Sequence, residues 1–379
     1  MSEKIPKEWK WVKLGEVAEI KTGKTNSQDA NNTGDYPLFD RSSVIKRSKK
    51  FLFDTEAVIV PGEGKEFIPR YYNGKFDLHQ RAYAIFNFKR CISKFIYYNV
   101  LLNKDIFKSF ATGSTVLSLR LEHFLNFPIL LPPLHEQKAI AEVLSSIDDK
   151  IDLLHRQNKT LEEMAMTLFR QWFIEPTKNG LPEGWEEVSL GDSDLSKIIP
   201  SGIKKFEGFK TYLATGDVES TLIKGGVEIT YNNRPSRANM QPEKYSVWFA
   251  KKEGIRKLLM FDDYSNIDKY ILSTGFTGLK TTELSHYYIW CFILHEDFQD
   301  IKDSLVSGSV QPDIPNEAVL QIFIPRPPDE VLLSFNIKVK PLFIKIQFNT
   351  PQIQTLEKLR DILLPKLMSG EAKIMNNEQ

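Results

Sequence analysis

The chain has 379 residues, 41% hydrophobic and 26% charged, enough apolar material for two or three ordinary cores. Net charge is +1, the two cysteines Cys91 and Cys291 lie far apart, and no long apolar run occurs, which argues against a disulfide framework, a CxxC zinc site and a membrane span. The opening MSEKIPKEWKWVK has no apolar signal core, so a cytoplasmic location is expected.

Charge is unevenly spread. Residues 1–130 hold 21 Lys/Arg against 14 Asp/Glu, whereas residues 181–330 sum to −7. The first segment is therefore suited to phosphates, and the acidic one could meet DNA only through a local basic face.

Residues 1–130 are expected to form an α+β domain. AVIVP (57–61) and RAYAIF (81–86) are strand-like, glycine turns follow, and KFIYYNVLLNKDIFKSF (94–110) is helical in pattern. Its DNA-reading candidates fall in two basic stretches: Arg41, Lys46 and Arg47, then Arg70, Tyr72, Lys75, Gln80 and Arg81. Arginine can pair bidentately with guanine and Asn or Gln with adenine, while lysine more often meets phosphate.

Residues 131–175 are expected to form a long helix, free of Gly and Pro from beyond Pro133 to about Phe173. Ile140, Ile147, Leu154, Leu161 and Leu168 recur every seven residues, and Leu144, Ile151, Asn158, Ala165 and Trp172 form the companion series. This spacing is expected of a coiled-coil seam, with a single core-facing amphipathic helix as the alternative.

Residues 176–328 are expected to form a second α+β domain, with YSVWFA (245–250) and YYIWCFIL (287–294) as strand-like runs. YNNRPSRANMQP supplies Asn233, Arg234, Ser236, Arg237 and Asn239, and STGFTGLK supplies Thr274, Phe276 and Lys280. Arg234 and Arg237 are the strongest single candidates, because a proline-marked loop would hold both as a stiff donor array. Residues 329–379 then repeat the helical seam, through Leu342, Leu356 and Leu363 and through Ile346 and Ile353. Pro341 and Pro351 depart from it, and Thr350–Gln352 predicts a kink or break near Phe348–Pro351.

The halves are duplicates. Pro6, Trp9, Val12, Leu14 and Gly15 return as Pro182, Trp185, Val188, Leu190 and Gly191, at an offset of 176. Gly113, Ser114, Pro132 and Pro133 return as Gly308, Ser309, Pro327 and Pro328, at 195. The change in offset implies 19 extra residues inside the second repeat. The expected architecture is domain, helix, domain, helix, with the two helices pairing as an antiparallel coiled coil of pseudo-two-fold symmetry. A helix of roughly 39 residues would be about 58 Å long, which suits two DNA-reading domains placed one or more duplex turns apart.

No GxxxxGK[ST], HExxH, GxSxG or [ND]PP[YF] motif occurs, so no ATPase, zinc hydrolase, serine hydrolase or amino-methyltransferase is indicated. Asp54, Glu63 and Lys65 could imitate the carboxylate–carboxylate–lysine set of a metal-dependent nuclease, although VPGEGKE also reads as a plain glycine turn. A non-catalytic coiled-coil adaptor is a further alternative.

The whole duplicated plan resembles the specificity subunit of type I restriction–modification systems. The resemblance is carried by WVKLGEVAEIKTGKT (11–25), LPPLHEQKAIAEVLSSID (131–148), LFRQWFIEPTKNGLPEGW (168–185) and LRDILLPKLMSGE (359–371), and NRPSRANM with STGF looks like one class of target-recognition domain. It implies that each α+β domain reads half of a split double-stranded DNA site. It also implies that the helices set the gap and dock two methyltransferase subunits, which use S-adenosylmethionine, and two restriction subunits, which use ATP and Mg. No cofactor, metal or catalytic residue is expected in this chain itself.

Overall fold

The structure, a computed structural model, describes residues 6–31, 33–113, 116–306 and 313–374. The matched pairs Ser114/Ser309 and Gly308 of the repeat lie outside them. It divides into two units. One comprises residues 1–153 with 352–379, the other residues 154–351, and the boundary falls inside both long helices.

In the first unit, β1 (Lys10–Lys13) enters, followed by β2 (Glu19–Thr22), β3 (Tyr36–Phe39), β4 (Lys46–Ser48), β5 (Phe53–Pro61), β6 (Arg70–Leu78) and β7 (Ala82–Phe86), and β8 (Pro128–Leu131) leaves. Strands β2 to β7 form a sheet in the order β2-β7-β5-β6-β3-β4, antiparallel except for β3 beside β6. Beyond β2, Thr25 bridges His79 beyond β6, and its hydroxyl donates to buried Asp77 at 2.8 Å. Helices Ser93–Leu102 and Lys104–Phe110 cover it, their Phe95, Ile96 and Phe107 buried against Val58, Val60 and Ile85. Entry and exit strands pair antiparallel, with Val12 opposite Ile129.

The second unit repeats this plan in β9 (Glu186–Ser189), β10 (Ser196–Ile198), β11 (Lys210–Leu213), β12 (Val218–Glu219), β13 (Leu222–Ile223), β14 (Val227–Ile229), β15 (Ala238–Met240), β16 (Ser246–Ala250), β17 (Leu258–Phe261), β18 (Tyr270–Ser273), β19 (Phe276–Thr281) and β20 (Phe323–Arg326). Here the sheet is split into β10-β19-β16-β17 and β14-β11-β18-β15. The Asp262–Lys269 turn interrupts what is one strand, β6, in the first unit. Val188 faces Ile324 just as Val12 faces Ile129. A Cβ on Gly15 would meet Leu125 at 2.8 Å, and one on Gly191 would meet Leu320 at 2.9 Å. Both glycines thus mark the same close approach, which explains their return. The added length falls between the parallel strands, Phe39 to Leu78 in one unit and Leu213 to Leu272 in the other, where hairpin β12–β13 and the loop before β15 are extra.

YYIWCFIL is a helix, not a strand. It forms His286–Leu294, buried nearly all round, in the place that Ser93–Leu102 takes in the first unit. A run apolar on every side carries no periodicity, so burial chose the helix.

The long helices span Leu134–Phe169, extended by a π-turn at Arg170–Ile174, and Asp329–Ser369. The expected break near Phe348–Pro351 is absent. Pro341 and Pro351 are both exposed, their fixed φ suits a helix, and the flanking turns are held by buried Phe335, Val339 and Phe343 in one unit and Ile353, Leu364 and Leu367 in the other. In the first unit Ile140, Leu144, Ile147 and Ile151 are buried, Leu364 and Leu367 join the cluster around Leu144, and Arg360 pairs with Asp148 at 3.1 Å. In the second unit Asn349 donates to Asn158 at 2.7 Å and Gln157 at 2.9 Å, and Phe335 packs on Phe169 and Phe173. The seam drifts there. Leu154 is buried, but beyond Asn158 the buried positions are Ala165, Phe169 and Phe173, leaving Leu161 and Leu168 half-buried. A 3.6-residue turn slips against a seven-residue repeat in this way. Leu342, Ile346, Leu356 and Leu363 are likewise half-buried.

Candidate nucleic-acid interface

The segments that follow strands in the first unit converge through backbone bonds. Gly62 N donates to Arg81 O at 2.8 Å, Leu119 N donates to Gly62 O at 2.8 Å, and His79 N donates to Phe39 O at 2.9 Å. This clamp brings the two basic stretches together. Arg41 and Arg81 both approach Glu63, Arg41 at 3.6 Å and Arg81 in closer contact. Lys46 pairs with buried Asp40 at 2.7 Å, and Arg70 donates to the Ser42 carbonyl. Burial opposes the charge of Asp40, yet Lys46 and the Ser42 N–H outweigh it and hold its carboxyl below the usual range. His79, buried, is pulled below its ordinary value by that burial and then by Arg41, Arg81 and Lys46 against the pull of Asp40, so it stays neutral near pH 7. Gln80 is exposed on the same turn. Arg47 instead braces its hairpin through Gly34 O and Asp35 O, both at 2.9 Å. Tyr72 packs on Phe39 and Phe76, and Lys75 lies 4.8 Å over the Phe51 ring.

The second unit carries the same clamp. Lys251 N donates to Gly275 O at 2.9 Å, and Ile314 N donates to Lys251 O at 3.0 Å. Glu63 bridges Ser118, and Lys252 bridges Asp313. Gly62, Arg81 and Leu119 thus correspond to Lys251, Gly275 and Ile314, and Glu63 corresponds to Lys252. The backbone is shared while the side chains differ in charge. Under this loop buried Lys302 donates to Ala250 O at 3.4 Å, Lys252 O at 2.8 Å and Ile255 O at 3.1 Å, so three carbonyls are tied to one amine.

Of the second unit's candidates, Arg237 reaches the clamp turn. Thr274 N donates to its carbonyl at 2.9 Å, and a Cβ on Gly275 would stand 3.2 Å from its guanidinium. Thr274 is partly open there, Asn239 is bonded through its carbonyl to Gly202 N at 2.8 Å, and Ser236 is exposed. Arg234 is folded onto its own loop, stacked 4.0 Å over Tyr231 and bonded to the Tyr231 carbonyl. Asn233 closes that same turn by accepting from Thr230 N at 2.7 Å. Lys280 is engaged by the Lys244 carbonyl and by Glu243 at 3.5 Å. Phe276 is a correction. It is 0% exposed inside the cluster with Trp248 and Leu272, because β19 turns it inward, and it cannot touch DNA. Sequence reasoning did not single out Lys252, and it named Glu63 only within the nuclease alternative.

The nuclease alternative fails on geometry. Asp54 lies opposite Lys75 near the start of β5, and Glu63 lies beyond its far end, so roughly 25 Å of extended strand separates the carboxylates. Lys65 is exposed, and Glu63 is already engaged by two arginines. No group of three His, Cys, Asp or Glu among the described residues is placed to hold a metal ion. No helix among them is long and apolar enough to cross a membrane.

Comparison with known proteins agrees with this layout. The family described as type I restriction modification DNA specificity domain matches residues 6–163. The chain is 28% identical to the type I restriction enzyme MjaIX specificity subunit of Methanocaldococcus jannaschii, over 98% of this chain and 95% of that one. It is 24% identical to the EcoDI specificity subunit of Escherichia coli, over 97% and 89%. A crystal structure of the type I restriction–modification S subunit from M. genitalium shares the fold, with a TM-score of 0.67, 18% identity and 97% of each chain covered. In its duplicated α+β halves and two long helices, the chain is similar over nearly its whole length to the specificity subunits of type I restriction–modification systems.

Proposed function

We propose that this chain reads a bipartite, asymmetric double-stranded DNA site, one half with residues 1–130 and the other with residues 176–328. The observation that carries the reading is the duplicated clamp, whose shared backbone presents Arg41, Glu63 and Arg81 in one unit and Arg237, Lys252 and Thr274 in the other. Equal frames with unlike side chains suit two half-sites of unlike sequence.

The long helices (residues 131–175 and 329–379) act as spacers and pair as an antiparallel coiled coil of pseudo-two-fold symmetry. Support comes from each unit separately. Within the first, Asp148 pairs with Arg360, and Ile140 and Gly370 line one pocket. Within the second, contacts join Asn158 to Asn349 and Phe169 to Phe335. In both, rising numbers on one helix meet falling numbers on the other.

These helices dock two methyltransferase subunits that bring S-adenosylmethionine and two restriction subunits that bring ATP and Mg, and the complex works in the cytoplasm. The chain itself contributes recognition and spacing. The test is a genome-wide map of adenine methylation in cells with the chain and its methyltransferase, against cells lacking the chain alone. A two-part motif that vanishes with the chain is expected. An unchanged map refutes the reading and favours a coiled-coil adaptor.

A further inference from the structure

Glu63 stands out within the first unit's clamp. It is only 9% exposed, yet two arginine side chains more than half exposed, Arg41 and Arg81, converge on it from segments 40 residues apart. Its backbone is fixed on both sides, by Gly62 N to Arg81 O at 2.8 Å and by Gly64 N to Leu117 O at 3.1 Å. One carboxylate oxygen accepts from Arg81, and the other faces Arg41 at 3.6 Å with no hydrogen bond of its own. The carboxylate therefore engages one terminal nitrogen of each guanidinium, and both arginine side chains stay more than half exposed.

Phosphate binding does not call for this design. An anion is attracted by charge alone, and a buried carboxylate beneath two arginines subtracts charge. What the carboxylate adds is direction, because it fixes the planes of two otherwise mobile side chains. Direction matters for a base edge, where guanine O6 and N7 must meet two N–H groups at once. We propose that Glu63 is a positioning residue that sets Arg41 and Arg81 as a paired reader of guanine in one half-site. The second unit has Lys252, exposed and of opposite charge, at the equivalent backbone position, so the device belongs to one half alone.

The inference rests on the reading that the chain recognises DNA, and the experiment separates the two. The full chain, expressed with its methyltransferase subunits, is given a plasmid library randomised across both half-sites, and methylated molecules are sequenced. A wild-type chain that yields no two-part motif refutes the broader reading before any variant is made. A wild-type motif without guanine in either half overturns the present one. Glu63→Gln should relax guanine at one or two base pairs of a single half by about tenfold or more, with the other half unchanged. A sharp motif in both halves with Glu63→Gln overturns the proposal. Should Glu63→Gln abolish all methylation, Arg81→Lys decides, since it keeps charge and loses the planar fork. Relaxed guanine with Arg81→Lys supports the assignment. A sharp motif, or loss of methylation at every site, overturns it.

Discussion

Replacing Asn349 by leucine tests whether the helix seam is built for strength or for register. Asn349 is 0% exposed on the second long helix, donates to Asn158 and Gln157, and leaves its own carbonyl oxygen without a hydrogen bond. Leucine removes that orphaned acceptor, a gain of about 1–3 kcal/mol, and adds buried apolar surface worth about 1.5–3 kcal/mol. Against this stand two lost hydrogen bonds at about 0.5–1.5 kcal/mol each. Gln157 is exposed and Asn158 is partly so, and water can take over both acceptors. The balance is a stabilisation of about 2 kcal/mol, to be read as a higher denaturant midpoint of the full chain by tryptophan fluorescence. A buried amide kept at such a cost fixes the alignment of a coiled coil. The methylation motif of Asn349→Leu should therefore show more than one gap length between its halves. A variant less stable than wild type by over about 1 kcal/mol would refute the energetic argument, and a more stable variant with a single gap would refute the register argument.

Arg237→Ala should relax one half-site, whereas Arg234→Ala should lower the stability of the second unit and leave the motif intact, as methylation maps of the two variants will show. Buried His286 is pulled down to about 4, first by burial, with Asp262 and Asp263 opposing. Its Nδ1–H donates to Thr281 Oγ1, whose own proton goes to Tyr245 O, so Nε2 has no acceptor for a second proton. The stability it contributes is complete above the unfolded value near 6.5 and is lost as pH falls from there toward about 4, by about 3 kcal/mol. Melting curves of His286→Gln should show a shallower decline than wild type across that window, and parallel declines would contradict the assignment. Gly278→Ala should cost about 1–3 kcal/mol or more, because its Cβ would stand 2.5 Å from the ring of fully buried Trp248, and an unchanged melting temperature would show that the ring can move.

The duplication was legible because it rests on close packing. Gly15 and Gly191 are each closely packed, against Leu125 and Leu320, and Val12 and Val188 occupy one ladder position. The first helix was legible because Pro133 bars it on one side and its apolar spacing runs on unbroken. Other features depend on tertiary surroundings. Pro351 stays helical because the turns on either side are packed, and YYIWCFIL is helical because every face of it is covered. Phe276 sits in a polar, glycine-rich stretch and is inward only because of the face of β19 that it occupies. The correspondence of Glu63 with Lys252 is hidden, since their offset of 189 matches neither 176 nor 195 and only the clamp's backbone bonds reveal it.

The ribbons β1–β8 and β9–β20 have a consequence for how such a chain can change. Each joins the first strand of a half to its last, so the polypeptide enters and leaves through one doorway of fixed width. The first half threads its residues through that doorway, and the second threads 19 more without altering the pairing of Val188 with Ile324. What lies behind the doorway can lengthen, turn over its loops or reverse a charge, as Glu63 and Lys252 show. The long helix beyond still receives the chain at the same point, so a new vocabulary in one half need not disturb the grammar that joins the two.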